Sequence, residues 1–440
     1  MLSIAAVSAD WVLDSRAVPT VEATVTLSDG RSVFAQAPSG ASTGAHESLE
    51  RRDTTDPRFA GRGVDGAVSS IRHEISSALV GMDVTDQRSL DATLVSLDGT
   101  EDRSRLGANA MLAVSAACAR AGAMVQDEPL WRHLAGVRRA TMPLPMVNLF
   151  SGNLHARGGM SIQDILVVPF NAPDVATSIE WAQGIYRCAR TLLEQRGAST
   201  LVGDEGGYGA PSASSVECIA LACDAIELSQ LRVGDDVGIA LDVAATHMLQ
   251  ADGSYLLDGE AMSSSALVST ISRWLAEFPI VSVEDPLAED DWEGWASAAA
   301  LFDPRVQLLG DDLLCTHLDR LERAATLGCA NAVLVKANQI GTLSEALAVA
   351  DRASELGLRA VVSARSGETE DDWLSDLAIA SGAGQIKVGS VARSERLAKY
   401  NRLLRVARRV DAPAWSGANG FDLVPRHRAA SRSTTVTESP

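Results

Sequence analysis

Six charged residues stand at or near the ends of short apolar runs in the second half of the chain: Glu205, Asp242, Glu284, Asp311, Lys336 and Lys387. A lone buried charge is strongly unfavourable, so charges that recur at the ends of strand-like runs are tolerable only where they converge and neutralise one another. Asp242, Glu284 and Asp311 offer hard oxygen donors with no cysteine or paired histidines beside them. Such a set suits Mg2+, which keeps some of its waters and shares oxygens with a substrate. Taken singly, each carboxylate is better read as a salt-bridge partner or helix cap; taken together they read as a metal site.

Lys336 ends an apolar run, where lost hydration lowers an ammonium pKa toward that of a general base, and a nearby metal charge pushes the same way. A structural lysine that snorkels to water is the alternative. Glu205 lies in Gly203-Asp-Glu-Gly-Gly207, whose glycines allow unusual backbone angles; a carboxyl held there could serve as general acid opposite the lysine, or the segment could be a plain turn. Arg365 and Ser366, in Ser363-Ala-Arg-Ser-Gly-Glu-Thr-Glu370, and Lys387, in Gly384-Gln-Ile-Lys-Val-Gly389, offer contacts for phosphate and carboxylate oxygens. Against the cations Lys336, Arg365 and Lys387 stand the acids Asp164, Glu205, Asp242, Glu284 and Asp311. About two Mg2+ would turn such a pocket net positive and fit it to a small polyanion.

The elements that must position these residues alternate. Apolar runs at Val237 to Leu241, Ile280 to Val283, Val306 to Gly310, Ala332 to Val335 and Ala360 to Ser363 are separated by amphipathic stretches such as Ser265 to Glu277 and Leu343 to Leu356. Strands apolar on both faces indicate a parallel sheet, and this many βα units favour a closed barrel, with its chemistry at the strands' carboxyl ends. Residues 1–138 read as a smaller α+β capping domain: strands at Val21 to Leu27 and Ser32 to Ala37 joined by Ser28-Asp29-Gly30, then helices at Val64 to Leu79 and Asn109 to Met124. Residues 142–417 read as the barrel domain and 418–440, rich in Ser, Thr and Arg, as a disordered tail. The small, glycine-punctuated stretch Pro38 to His46 is either a mobile cover over a site or a connection.

Bulk properties narrow the function classes. At 440 residues two domains are expected. A formal charge of -19 disfavours nucleic acid and anionic membranes as partners. No apolar stretch reads as a membrane span. Met1 to Asp10 carries no secretory signature, and Cys118, Cys188, Cys218, Cys223, Cys315 and Cys329 show no metal-site spacing, so reduced thiols in a cytoplasmic protein are expected.

With these residues assembled, the chain resembles the enolases, or phosphopyruvate hydratases, over nearly its whole length and in family order. The matches are Asp14-Ser-Arg16, Pro38-Ser-Gly-Ala-Ser-Thr-Gly44, Leu106-Gly-Ala-Asn109, Gly203-Asp-Glu-Gly-Gly207, Ala240-Leu-Asp-Val-Ala-Ala245, Val283-Glu-Asp-Pro286, Gly310-Asp-Asp312, Lys336 with Asn338-Gln-Ile-Gly-Thr342, Ser366-Gly-Glu-Thr-Glu-Asp371, and Arg393-Ser-Glu-Arg396 through Lys399-Tyr-Asn401.

The resemblance implies an α/β fold, a modified TIM-type β/α barrel under an N-terminal α+β capping domain, and a homo-oligomer, at least a dimer. It implies Mg2+ at Asp242, Glu284 and Asp311, with Ser42 helping to hold a second ion that arrives with substrate. Lys336 would remove the proton beside the carboxylate and Glu205 would assist departure of hydroxide; His155, Gln163, Asp164, Arg365, Ser366 and Lys387 would hold the substrate. A lysine base working with one or two Mg2+ is the general pattern of that superfamily and is no independent derivation here. The implied activity is interconversion of 2-phospho-D-glycerate and phosphoenolpyruvate.

The chain departs from the family pattern near the expected site. Ala364 stands where Ser-His-Arg-Ser has its histidine, a change that opens room at the phosphoryl end. Ser151-Gly-Asn153 replaces Asn-Gly-Gly, Asp164 replaces a glutamate, Ala17-Val18 replaces Gly-Asn, and Thr246-His247-Met248 replaces a Ser-Glu-aromatic run. A second reading is therefore the enolase-like carboxyphosphonoenolpyruvate synthase of phosphonate natural-product pathways, acting on a phosphonate. A third is a catalytically weak relative with a binding role, against which the retained Glu205, Lys336, Lys387 and metal carboxylates speak.

Overall fold

Period-two alternation along short strands decides which side chains reach the middle of this molecule. The computed structural model describes residues 2–41, 43–156, 159–210, 212 and 214–421. Three antiparallel strands, β1 (Ile4–Leu13), β2 (Pro19–Leu27) and β3 (Ser32–Gln36), open the chain. The β2–β3 turn needs Gly30 at φ +89°, a conformation glycine adopts without strain. Helix Ala108–Gln126 packs on β2 and β3. The helix expected at Val64 to Leu79 is present but passes through a π turn at Ile71–Ile75.

The expectation that no stretch resembles a membrane span needs correction. Ala108–Gln126 is long and apolar enough by length and composition, yet 83% of that window is buried inside the protein. It is a core helix, because its small side chains let the sheet approach closely.

Eight strands close the barrel: β4 (Leu144–Ser151), β5 (Asp164–Val168), β6 (Gly238–Asp242), β7 (Ile280–Glu284), β8 (Gln307–Gly310), β9 (Ala332–Val335), β10 (Arg359–Ser363) and β11 (Gln385–Gly389), with β11 pairing back onto β4. All neighbours are parallel except that β5 runs antiparallel to both β4 and β6. This is a modified TIM-type barrel with a capping domain.

Leu144, Met146, Leu166, Val168, Ala240, Leu309, Ala332, Leu334 and Val361 form one apolar cluster. Two residues further toward the opposite end, on the same face of each strand or its extension, come Asn148, Asp164, Asp242, Asp311, Lys336 and Ser363. These six strands are thus apolar plugs whose next inward position is polar, whereas β7 and β11 carry Ser282 and Gln385 before Glu284 and Lys387.

Trp415 and Phe421 pack against this cluster, and residues Gly417–Phe421 form a 3-10 turn. Arg359 Nη1 and Gln385 Nε2 both donate to the Gly420 carbonyl at 2.8 Å. The expected disordered tail from 418 on is therefore corrected for 418–421, which a partly buried aromatic and side-chain hydrogen bonds to a backbone carbonyl hold against the barrel; 422–440 lie outside the described residues. The six cysteines are free; Cys118, Cys218, Cys315 and Cys329 are buried.

Candidate active site

Every residue singled out from the sequence, Ser42 excepted, is buried and gathered at one end of the barrel; Ser42 lies outside the described residues. Strand register does much of the gathering. Asp242 sits opposite Glu284 across β6 and β7, and opposite Asp164 across β6 and β5. Because β5 is antiparallel, its first residue, Asp164, lies at the end where the parallel strands finish. The rule that chemistry lies at carboxyl ends holds for the others and is inverted for this one strand.

A small cavity is lined by His155, Gln163, Glu205, Asp242, Lys336, Ser363, Ala364, Arg365, Ser366 and Lys387. At its floor Lys387 Nζ donates to Asp242 Oδ2 at 2.6 Å and to Glu284 Oε1 and Oε2 at 2.8 and 2.7 Å. Lys336 Nζ bonds Asp311 Oδ2, whose other oxygen accepts from Gln339 Nε2 at 3.0 Å. Gln163 Nε2 donates to Asp242 Oδ2 at 3.1 Å. Buried carboxylates and lysines thus neutralise one another, as the buried-charge reasoning requires.

Burial, together with the charges of Asp242 and Asp311, lifts the Glu284 carboxyl well above the usual range, although Lys387 opposes the lift. Burial lowers the Lys387 pKa, but Asp242 and Glu284 outweigh it and leave it well above normal. Lys336 departs from expectation. Burial does push its pKa down, yet Asp311 pulls harder and the net shift is upward. The sequence reading counted desolvation and could not see that a carboxylate touches the ammonium.

On the opposite wall, His155 Nδ1 bonds Asp164 Oδ2 at 2.9 Å, Ser151 Oγ donates to Asp164 Oδ1 at 2.6 Å, and His155 Nε2 lies 3.9 Å from Glu205 Oε1. Burial opposes a charge on the imidazole, but Asp164, Glu205 and Asp242 raise its pKa to about 9. Glu205 is lowered: burial pushes it up, and His155, Arg396, Lys387 and Lys336 more than compensate. Its Oε2 accepts from Asn148 Nδ2 at 3.0 Å.

The oxygens fit a hard divalent cation. Two acidic groups hold ligand atoms within 4.8 Å of one another, His155–Asp164–Glu205 and Asp285–Asp311–Asp312. They overlap the expected ligand set only at Asp311. Asp242 and Glu284 are instead joined through Lys387. Asp285 accepts the backbone N–H groups of Asp311 and Asp312 at 2.9 and 2.8 Å and so orients the strand end that presents Asp311. Burial and the Asp311 charge push Asp312 up to about 7.

Sequence reasoning missed Asn148, Glu47, Asp285 and Gln339 as supports. The doubled acids in Glu284-Asp285 and Asp311-Asp312, at the ends of β7 and β8, were a visible signal for Asp285; nothing local marks Asn148 or Glu47. The departures from the family pattern have definite places. Ser151 holds Asp164, Ala17 takes φ +57° where a glycine would be unstrained, and His247 Nε2 is buried with no hydrogen-bond partner among the described residues.

The stretch from Pro38 to His46 is tied to the barrel on both sides of residue 42. Ala41 N donates to Ser366 Oγ at 2.8 Å, Ala45 N to Glu289 Oε2 at 2.7 Å, and His46 Nε2 lies 3.1 Å from Asp290 Oδ1. A Cβ at Gly44 would come within 2.8 Å of Cys315 Sγ, so glycine is required for this close approach.

Comparison with known proteins agrees with this architecture. Residues 4–134 match the family model "Enolase, N-terminal domain" and residues 139–422 match "Enolase, C-terminal TIM barrel domain". The chain is 44% identical over 422 residues to the protein named "Enolase" of Kineococcus radiotolerans, covering 96% of this chain and 98% of that one. Two domain matches in sequence order and a full-length relative, set beside the barrel and the buried carboxylate–lysine floor, place this chain in the enolase family.

Proposed function

We propose that the protein is a Mg2+-dependent lyase that interconverts 2-phospho-D-glycerate and phosphoenolpyruvate. The observation that carries this reading is that Lys336 and Glu205 face one cavity beside Asp242, Lys387 and Arg365. In this reading Asp242, Glu284 and Asp311 hold one ion, with Ser42 contributing to a second. Mg2+, when bound, supplies the positive charge that makes the proton beside a carboxylate acidic and relieves Lys336 of the Asp311 charge.

Lys336 takes the proton from the carbon beside the carboxylate. Glu205 assists departure of the hydroxide from the side where His155 Nε2 lies 3.9 Å from its Oε1. Arg365, Ser366, Lys387, Gln163 and the His155–Asp164 pair orient the substrate. The protein acts in the cytoplasm as a homo-oligomer, with neither nucleic acid nor membrane as partner; the net charge of -19 supports the latter.

Purified protein given 2-phosphoglycerate and Mg2+ is expected to form phosphoenolpyruvate at about 1–10³ s⁻¹. No product under these conditions defeats the reading.

One observation favours a second substrate. Ala364 presents only a methyl group to the cavity, between Ser363 and Arg365. This supports the carboxyphosphonoenolpyruvate synthase type, with a larger phosphonate at that end. Ala364→His then gains 2-phosphoglycerate turnover by about tenfold or more, the worth of one charge-assisted hydrogen bond. If the wild-type protein already turns over 2-phosphoglycerate robustly and the histidine variant gains nothing, the second substrate is excluded.

A further inference from the structure

Glu47 belongs to the capping domain, yet its carboxylate ends in the barrel's pocket wall. Oε2 accepts from Arg365 Nη1 at 2.9 Å and Oε1 from Nη2 at 3.1 Å, a two-point contact with the terminal edge of the guanidinium. Oε1 also accepts from Gly44 N at 3.0 Å and from Gln339 Nε2 at 3.3 Å. Both side chains are almost fully enclosed, at 3% exposure for Arg365 and 7% for Glu47. Arg365 nevertheless lines the cavity, so a single guanidinium faces an internal carboxylate on one edge and the substrate space beside it.

We propose that Glu47 is a specificity-determining residue that acts through Arg365 as a built-in competing anion. This inference rests on the reading of Arg365 as a substrate-binding cation. A carboxylate fits the planar fork as well as any singly charged oxyanion does. An incoming monoanion therefore gains little from Arg365, whose charge Glu47 already offsets. A phosphoryl or phosphonyl dianion is drawn twice as strongly to Arg365 but is also repelled twice as strongly by Glu47, so Glu47 takes more from its affinity than from that of a monoanion. Glu47 thus narrows the preference of Arg365 for doubly charged tetrahedral oxyanions over singly charged ones. The grip of Glu47 on Gly44 couples that choice to the turn leading back into the segment that begins at Pro38.

The test compares two phosphorus oxyanions by calorimetry on the full-length Mg2+-loaded protein: orthophosphate at about pH 8, where it is mainly dianionic, and hypophosphite, a monoanion. For wild type, orthophosphate binds far more tightly. Glu47→Gln, which keeps the shape and removes the charge, is expected to tighten hypophosphite by about tenfold or more, one charge-assisted contact, and to tighten orthophosphate by more, so that the affinity ratio rises. Glu47→Asp, which keeps the charge but shortens its reach, is expected to raise the ratio less than Glu47→Gln does.

An unchanged or lower ratio in Glu47→Gln overturns the proposal and leaves Glu47 a purely structural tie. If Glu47→Gln does not fold, Glu47→Asp decides: its shorter reach loosens the two-point contact and is expected to raise the ratio, and an unaltered or lower ratio overturns the proposal. Binding is read without turnover. A failure of 2-phosphoglycerate dehydration in wild type would therefore be seen separately from a failure of this discrimination.

Discussion

Replacing Lys336 with arginine is expected to lower kcat by about 10²–10⁴-fold, the usual contribution of a positioned general base, while KM changes little. Arginine is the informative choice. It keeps the positive charge that the Asp311 carboxylate needs, but it does not deprotonate in a protein and cannot serve as base. Lys336→Ala confounds two effects, because it also strands a buried carboxylate at a cost of about 3–5 kcal/mol. Steady-state kinetics with 2-phosphoglycerate, alongside thermal denaturation, separates them. If Lys336 is only the structural partner of Asp311, the arginine variant retains kcat and stability together.

Lys387→Met is expected to destabilise the metal-free protein by about 3–5 kcal/mol, since it removes one member of a buried ion group and leaves Asp242 and Glu284 facing each other. The sign of the pH dependence follows from Glu284. Its carboxyl is already raised above the ordinary value of 4.5, so the folded state holds that proton more tightly than the unfolded chain. That contribution is present below the ordinary value and is lost as pH rises through the elevated one. Lys387, ahead of Lys336, is the largest restraint on that rise. Its removal therefore makes the variant's deficit largest at neutral and alkaline pH and smallest near the ordinary glutamate value.

Mg2+ is expected to restore part of the lost stability, about 2.7 kcal/mol at a hundredfold excess over its dissociation constant. Denaturant titration across pH, with and without Mg2+, reads all of this. A deficit that Mg2+ leaves untouched would show that Asp242 and Glu284 do not hold the ion.

Much of the barrel was legible because its strands are buried on both faces. Gly238 to Leu241 and Ala332 to Val335 are runs without a polar side chain, each ended by the charge at the next inward position, Asp242 and Lys336. The first strand, Ile4–Leu13, was not legible: it carries Ser8, Asp10 and an exposed Trp11, and much of it faces solvent. Asp164 was counted among the pocket acids, but no strand-end pattern marked it. Its place depends on β5 running antiparallel, which no local pattern announces.

The least legible features are contacts between distant parts of the chain. Glu47 reaches Arg365 across 318 residues and Asn148 reaches Glu205 across 57, and neither polar residue sits in a segment whose composition signals a partner. The upward shift of Lys336 was missed for the same reason: desolvation is readable from an apolar run, whereas the touching carboxylate is a fact of three-dimensional register. Residues 418–421 were misread because a short polar-looking segment can be ordered by one ring, Phe421, and by backbone carbonyls.

The central claim is that acids and lysines far apart in sequence form one pocket in which metal-assisted removal of a carbon-bound proton takes place. Its most direct test is exchange of the proton beside the carboxylate of 2-phosphoglycerate, followed by proton NMR in deuterated water. Wild type with Mg2+ is expected to exchange it, exchange is expected to cease on chelation of the metal, and Lys336→Arg is expected to show none while still binding substrate. Exchange at the wild-type rate in Lys336→Arg, or exchange that survives removal of the metal, would contradict the account.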